Sequence, residues 1–410
     1  MNQMIGRWIF FSFYFCYAGL SQAEEAGLAA ALHSTIALHP AMHGKQAEIE
    51  AKEFAADSAR AQRYPSMSSQ LGRRGKNNVA TLVVRQPIWA FGRIDHTIAY
   101  ADADKKVNEQ DFLRVKRRLL EDTAVAYAVM EGMNMRLDVA IENVDAHEKL
   151  HQQIQRRYKG KLASKTDVLL AAVRLRQARA QVLRVQGEKH IALDDLQALT
   201  QVAIDTSEKV SDSFRHLDNI HDIEGLAAQQ DATVQYKKQL VDLALKNIGQ
   251  VRSAAMPTVY VQAERNFNAP GYARGTNYSV MVDGNLDGFG LAVFGRTSAA
   301  RSQLEAAKRD LDSTRNDIRR KVKTLMNNRG MQASLMEGIG LAVDDLQVTL
   351  NSYNRQYGAG FKAWLEVLNL QRELSDQKTM LAQAKSEWLI QTLRIQAMTG
   401  LLDQVSAKEK

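Results

Sequence analysis

The sequence is poor in cysteine, in proline and in long apolar runs, and each shortage excludes something. Of the 410 residues only Cys16 is a cysteine. Disulfides, thiolate metal sites and a thiol nucleophile are therefore excluded for everything after it. Past residue 24, no apolar run approaches the ~20 residues that a membrane-crossing helix needs. The formal charge of +8 comes from 54 basic and 46 acidic side chains. That is an interspersed mixture, not the concentrated basic face of a nucleic-acid binder, so nucleic acid is not an expected partner. The five prolines are Pro40, Pro65, Pro87, Pro257 and Pro270, and residues 88–256 and 271–410 contain none. Because a proline costs ~3 kcal/mol inside a helix, these stretches, rich in Ala, Leu, Gln, Lys and Arg, are expected to form very long helices.

What is present begins with an apparent export signal at 1–23. Arg7 supplies a positive start, Trp8 to Leu20 is apolar, and Ser21-Gln22-Ala23 offers small residues for cleavage. The apolar part, at about 13 residues, is short for a ~30 Å hydrocarbon core. Phe13-Tyr14-Phe15 before Cys16 is too bulky for lipoprotein processing, so no lipid anchor is expected.

Near the prolines the texture changes. Over 65–88 and 257–288 the apolar period becomes two: Val259 and Val261 alternate with Tyr260 and Gln262, and Tyr278, Val280 and Val282 with Ser279, Met281 and Asp283. Gly72, Gly75, Asn77 and Asn78 punctuate the first segment, and Asn268, Gly271, Gly275 and Asn277 the second. Each segment reads as two strands joined by a loop. The helical stretches carry heptads. One seam is Val168, Leu175, Val182 and Leu196, with Ala171, Ala178, Val185, Ala192 and Leu199 beside it. The other is Val367, Leu374, Leu381, Trp388 and Ile395, with Leu370, Ala384 and Met398 beside it. Seven-residue apolar repeats imply helices paired as coiled coils.

The chain is also a tandem repeat. A shift of 199 (357 − 158) places Tyr158 on Tyr357, Val168-Leu169 on Val367-Leu368, and Gln197-Ala198-Leu199-Thr200 on Gln396-Ala397-Met398-Thr399. A shift of 203 (294 − 91) places Phe91-Gly92-Arg93 on Phe294-Gly295-Arg296. The expected organisation is a first repeat over 24–202 with a hairpin tip near 158–166, a polar linker over 203–224, and a second repeat over 225–410 with a tip near 357–364. Each half reads helix, strand pair, long helix, sharp turn, long helix.

This order has a physical consequence. Four strands cannot close around a pore, and an open sheet in lipid would leave its edge groups unsolvated. Three copies sharing one wall would give twelve strands, within the usual range. A helix from Arg93 to Tyr158 would reach about 100 Å at 1.5 Å per residue. The soluble alternative, a periplasmic coiled-coil adaptor or scaffold, usually has one hairpin inserted into β-rich domains.

Several short pieces carry a resemblance: His39-Pro40, Tyr64-Pro65-Ser66, Gln86-Pro87-Ile88-Trp89-Ala90-Phe91-Gly92-Arg93, Tyr357-Gly358-Ala359-Gly360-Phe361, Glu366-Val367-Leu368-Asn369 and Leu393 to Gly400. In this order, and duplicated, they resemble the TolC-like outer-membrane efflux and secretion proteins over essentially the whole chain. The resemblance implies a mainly α fold with a membrane β-barrel portion. It would be a homotrimer with a twelve-stranded barrel above a helical periplasmic tunnel, in the outer membrane of a Gram-negative bacterium. It implies no catalysis and no cofactor. The partners it implies are a periplasmic adaptor (membrane fusion protein), an inner-membrane ABC or RND transporter, and outer-membrane lipid. The work would be type I protein secretion or multidrug efflux.

The resemblance also implies a gate. Tyr357 and Lys362 of the second hairpin would bond to Thr166 and Asp167 of the first, and Glu366 and Asn369 would ring the narrowest aperture. Removing the Tyr357 hydroxyl and the Lys362 amine is then expected to raise conductance. The tips Gly160, Lys161, Gly358 and Gly360 would meet the adaptor. Lys161 stands where such proteins usually have glycine. His33, His39 and His43, like His147 and His151, have no accompanying carboxylate cluster that would make them metal ligands. Lys116-Arg117-Arg118 and Arg319-Arg320-Lys321 read as solvated helix faces.

Overall fold

A computed structural model describes residues 27–74, 77–217, 223–267, 275–284 and 290–405. The expected export signal, with Cys16, lies outside the described residues. Two short helices, α1 (Leu28–Leu38) and α2 (Pro40–Ala61), meet at His39-Pro40. Pro40 takes the first helical position, where its missing N–H is not needed, and His39 Nδ1 accepts from Ala41 N at 3.2 Å. The strand pair β1 (Ser66–Arg74) and β2 (Asn77–Trp89) follows, then the hairpin α3 (Arg93–Lys159) and α4 (Lys165–Thr200). Short helices α5 (Asp212–Arg215) and α6 (Ile223–Gln230) lead into the second half. That half is α7 (Ala232–Ser253), β3 (Thr258–Phe267), β4 (Thr276–Asp283), α8 (Leu291–Gly358), α9 (Trp364–Thr399) and α10 (Leu401–Val405).

The expected long helices are present. α3 has 67 residues and α8 has 68, so each rod is about 100 Å long. Their partners α4 and α9 have 36 residues each. The apolar seams face inward: Ala171, Leu175, Ala178, Val185, Ala192 and Leu196 of α4 are buried, as are Val367, Leu374, Ala384, Ile395 and Met398 of α9. Close to the tips the helices lie in the row α4–α3–α9–α8, and toward the sheet in the row α2–α3–α7–α8.

The four strands form one antiparallel sheet in the order β1-β2-β3-β4. Pro87 lies in the inner strand β2, where proline is normally excluded, but the ladder is irregular between Pro87 and Trp89 and absorbs the lost donor. The repeats therefore meet at β2–β3 in the sheet and at both α3–α7 and α3–α9 in the helical layer.

The inter-repeat segment is strapped down, unlike an ordinary solvated linker. Tyr127 donates to Glu208 O (3.0 Å), Asn134 to Thr206 O (2.9 Å), and Gln396 to Phe214 O (3.1 Å). Buried Glu131 receives Val210 N (3.0 Å) and Arg215 (2.5 Å). These side chains come from α3 and α9, so the segment is fastened across these two helices.

Candidate functional site

Two regions carry the functional geometry: the sheet and the paired hairpin tips. Cross-strand register sorts the sheet into two chemically different faces. Met67, Val84, Ala263 and Tyr278 form one row, and Val261 and Val280 extend it along the same face. On this face Leu71 is 82% exposed and Tyr278 78% exposed. The opposite face carries Ser66, Arg85, Gln262 and Ser279 in one row and Gln70, Thr81 and Asn266 in another. Its polar groups satisfy each other. Arg85 Nε donates to Gln262 at 2.7 Å, Thr81 to Asn266 at 2.7 Å, and Asn266 to Glu264 at 2.8 Å. A largely apolar, widely exposed face, interrupted by Gln86 and Arg265 and backed by a bonded polar face, fits a wall between hydrocarbon and water. Among the described residues both edges, β1 and β4, are unpaired in one chain.

The two tips are built alike. In the first, Gly160 N donates to Arg156 O, Lys161 N to Tyr158 O, and Leu162 N to Arg157 O, at 3.1, 2.9 and 2.8 Å. In the second, Ala359 N donates to Arg355 O, Gly360 N to Tyr357 O, and Phe361 N to Gln356 O, at 3.1, 3.1 and 2.9 Å. Each bond of one turn maps onto the other by the 199 shift. The left-handed residue is Lys161 (φ 61°) in the first turn and Gly360 (φ 84°) in the second. Lys161 thus adopts the backbone that glycine would take more easily, because the bonding register and not the nearest glycine fixes which residue turns.

α4 then starts with a capping box. Ser164 Oγ accepts from Asp167 N (3.1 Å), and Ser164 N donates to Asp167 Oδ2 (3.0 Å). At the corresponding place on α9, Ala363 N donates to Glu366 Oε1 (3.4 Å). Lys362 Nζ donates to Glu366 Oε2 at 2.7 Å and lies 4.3 Å from the Tyr353 ring centre. Its bonds to Glu366 and Tyr353 raise the Lys362 amine above its ordinary pKa, and Lys362 holds the Glu366 carboxyl below the usual value.

The expected bonds of Tyr357 and Lys362 to Thr166 and Asp167 are not made within one chain. Asp167 is engaged by its own cap, and Lys362 by the carboxylate four residues on. Thr166, Glu366 and Asn369 are exposed, as are Gly160, Lys161, Gly358 and Gly360. Glu366 and Asn369, three residues apart, share one helix face.

Tyr357 itself is 5% exposed and sits in a small core with Leu150, Ile154, Ala171, Trp364, Val367 and Leu368. Trp364 tilts against it at 6.4 Å between ring centres. The Arg157 guanidinium lies 4.5 Å from the Tyr357 ring centre, and Arg157 NH1 donates to Tyr357 O at 2.7 Å. The Tyr357 hydroxyl and the Trp364 indole nitrogen are buried with no well-aligned partner among the described residues. Burial pushes the Tyr357 phenol up; Arg157 opposes this and Asp167 adds to it. Arg157 and Trp364 were not singled out from the sequence. The available signal was the 199 shift, which places Arg157 on Gln356 and Trp364 on Lys165, two of several departures inside a turn whose backbone bonds match.

One other sequence reading changes, and one histidine is placed. Arg117 does not lie on a solvated face: its Nε donates to Asp403 at 2.7 Å and its NH1 to Gln230 O at 2.5 Å, pinning α10 and the end of α6 onto α3. His147 is buried, and burial together with Arg174 lowers its pKa. Among the described residues no His, Cys, Asp or Glu group could hold a metal, and no helix is long and apolar enough to cross a membrane.

The family model for the outer membrane efflux protein matches residues 31–201 and again 225–401. The chain belongs to that family. Outer membrane efflux proteins are channels, not enzymes, and this chain is an outer-membrane efflux or secretion channel protein with a tandem-repeat helical portion and a β portion. The alkaline protease secretion protein AprF of Pseudomonas aeruginosa is 21% identical over 341 residues, covering 80% of this chain and 70% of AprF. The outer membrane protein TolC of Salmonella enteritidis is 22% identical over 306 residues, covering 70% of this chain and 62% of TolC. In fold the chain is similar to CusC, with a TM-score of 0.81 at 14% identity over 91% of both chains. It is also similar to VceC of Vibrio cholerae, with a TM-score of 0.76 at 14% identity over 91% of this chain and 96% of that one.

Proposed function

We propose that three copies of this outer membrane efflux protein close into one twelve-stranded barrel and one helical tunnel. The assembly forms an exit duct from the periplasmic side of a Gram-negative outer membrane to the outside. The observation that carries this is that both layers are open on the same two sides. β1 and α2 follow one another on one side, joined near the tips by α4; β4 runs into α8 on the other. Apolar side chains wait on both flanks: Leu183 and Ile191 on α4 are 69% and 65% exposed, and Leu341 and Val348 on α8 are 64% and 70% exposed. Leu183 is 18 residues above the start of α4 (183 − 165) and Leu341 is 17 above the end of α8 (358 − 341). Both therefore lie roughly 26 Å from the tips, so α8 of one copy can pack on α4 of the next at matched height.

In this reading residues 1–23 direct export, the repeats are 24–202 and 225–410, and the tips meet a periplasmic adaptor joined to an inner-membrane transporter. Thr166, Asp167, Tyr357 and Lys362 work at the gate, with Lys362 and Asp167 exchanging their local partners for those of a neighbouring copy. Glu366 and Asn369 line the aperture, where three carboxylates favour cations. The duty is type I secretion of a polypeptide, supported by the likeness to AprF. The test is fractionation followed by planar-bilayer recording. Outer-membrane location and cation-selective steps, with selectivity reduced in Glu366→Ala, support the duct; a periplasmic, non-conducting protein overturns it.

A further inference from the structure

The gate expected by resemblance places its cation on the second hairpin. In this chain that cation, Lys362, is taken by Glu366 on its own helix. Further up, Lys378 of the second hairpin bonds Glu142 of the first at 2.6 Å, but at the tips the tie runs the other way, from a cation on the first. We infer that Arg157 is the clasp that holds the two hairpins of one chain together at the tunnel tip, and that it sets the resting conductance of the gate. The inference rests on the exit-duct reading above.

The geometry supports this in three steps. Arg157 makes two different contacts with one residue: a 2.7 Å bond to the Tyr357 carbonyl and a stack on its ring at 4.5 Å. A planar, pre-organised guanidinium suits both contacts at once, its face on the ring and its edge on the carbonyl. Next, the carbonyl is one of the last in α8, where it accepts Gly360 N in the turn and has a second lone pair for Arg157, and where a cation is favoured by the helix dipole. Arg157 also closes the last turn of α3, so it joins the C-termini of both long rods. Finally, the ring it grips is enclosed by Trp364, Leu150, Ile154 and Val367, so moving Tyr357 moves the second tip. The homologous tyrosine of the first repeat, Tyr158, is 45% exposed and has no such cover. The residue that the 199 shift places on Arg157 is Gln356, which donates to Ser352 four residues back on its own helix (3.1 Å). The clasp is therefore present once per chain, from the first hairpin to the second, and its counterpart is absent.

Single-channel conductance of the full-length protein in planar bilayers tests this, with trimer content checked on the same preparations. Removing one cation–π contact and one charged bond should shift the closed-to-open balance about fivefold or more. Arg157→Leu is then expected to raise resting conductance, Arg157→Gln to raise it similarly, and Arg157→Lys to fall between these and the parent. The Gln variant keeps a polar side chain and decides the matter if the Leu variant does not assemble. Parent-like conductance in an assembled Arg157→Gln protein would overturn the clasp while leaving the duct intact. A graded series in which Lys equals Leu would also overturn it, since charge retention would then count for nothing. A parent protein without channel activity would overturn both readings.

Discussion

Tyr158 and Tyr357 occupy the same place in the two repeats, one residue before the last of α3 and of α8, yet one is half-exposed and the other buried. The turns that follow them bond identically. What differs is the neighbour. Tyr357 is covered by Arg157 from the adjacent hairpin and by Trp364 from its own, whereas the first repeat offers Lys165 in place of Trp364 and leaves the other side of Tyr158 open. Duplication thus keeps the backbone, and a few side chains decide which copy becomes a fixed contact. The exposed copy sits on α3, an inner helix of the row, and the buried copy is covered by both hairpins of one chain.

The largest break in this comparison should come from deleting the buried ring. Tyr357→Ala is expected to destabilise the tip core by about 3–4 kcal/mol and to raise conductance strongly in planar bilayers. The matched control in the first repeat is Tyr158→Ala, which should change stability much less. Tyr357→Phe is expected to behave like the parent, because the hydroxyl has no well-aligned partner within the chain. A clear rise in Tyr357→Phe would instead place that hydroxyl in a bond to a neighbouring copy.

A smaller effect should come from the turns. Lys161 holds φ 61° where the second repeat has Gly360. Lys161→Gly is expected to stabilise the first tip by up to about 1 kcal/mol, and Gly360→Ala to destabilise the second by a similar amount. Thermal unfolding, or limited proteolysis at each tip, would check the signs; equal responses at both tips would contradict the assignment of the left-handed residue.

The smallest effect is titration of the exposed second-tip pair. Glu366 is lowered below 4.5 chiefly by Lys362, so its contribution is complete above that value and is lost as pH falls through the lowered pKa. Lys362 is raised above 10.5, so its contribution is complete below that value and is lost as pH rises through the raised pKa. The pair should be intact between these limits. Tip protection in hydrogen exchange is expected to fall modestly in acid, and Glu366→Gln should remove that dependence.

Much of this architecture was readable from residue order. Proline-free stretches marked α3, α4, α8 and α9, since proline is excluded from helix interiors; two-residue alternation marked β3 and β4; and the 199 shift anticipated that both tips would turn alike. The tip contacts were harder to read because they depend on residues far apart in sequence. Arg157 and Tyr357 are 200 positions apart, and nothing local distinguishes Arg157 from the neighbouring cations Arg156 and Lys159. Arg117 was misread for the same reason: its partner Asp403 lies 286 positions away. The pairing of Lys362 with Glu366 was local, at helical i,i+4 spacing, and could have been anticipated. Lys161 in a left-handed backbone could not, because Gly160 beside it was the natural candidate and only the hydrogen-bond register decides between them.

Closure of the wall between copies can be measured directly. In a Cys16→Ser background, Gln70→Cys on β1 and Ser279→Cys on β4 place one thiol on the polar face of each open edge. Treatment of intact outer membranes with a flexible bis-maleimide should then give covalent species up to a trimer and no larger. A protein that remains monomeric under these conditions, or a ladder that continues past three, would contradict a barrel shared by three chains.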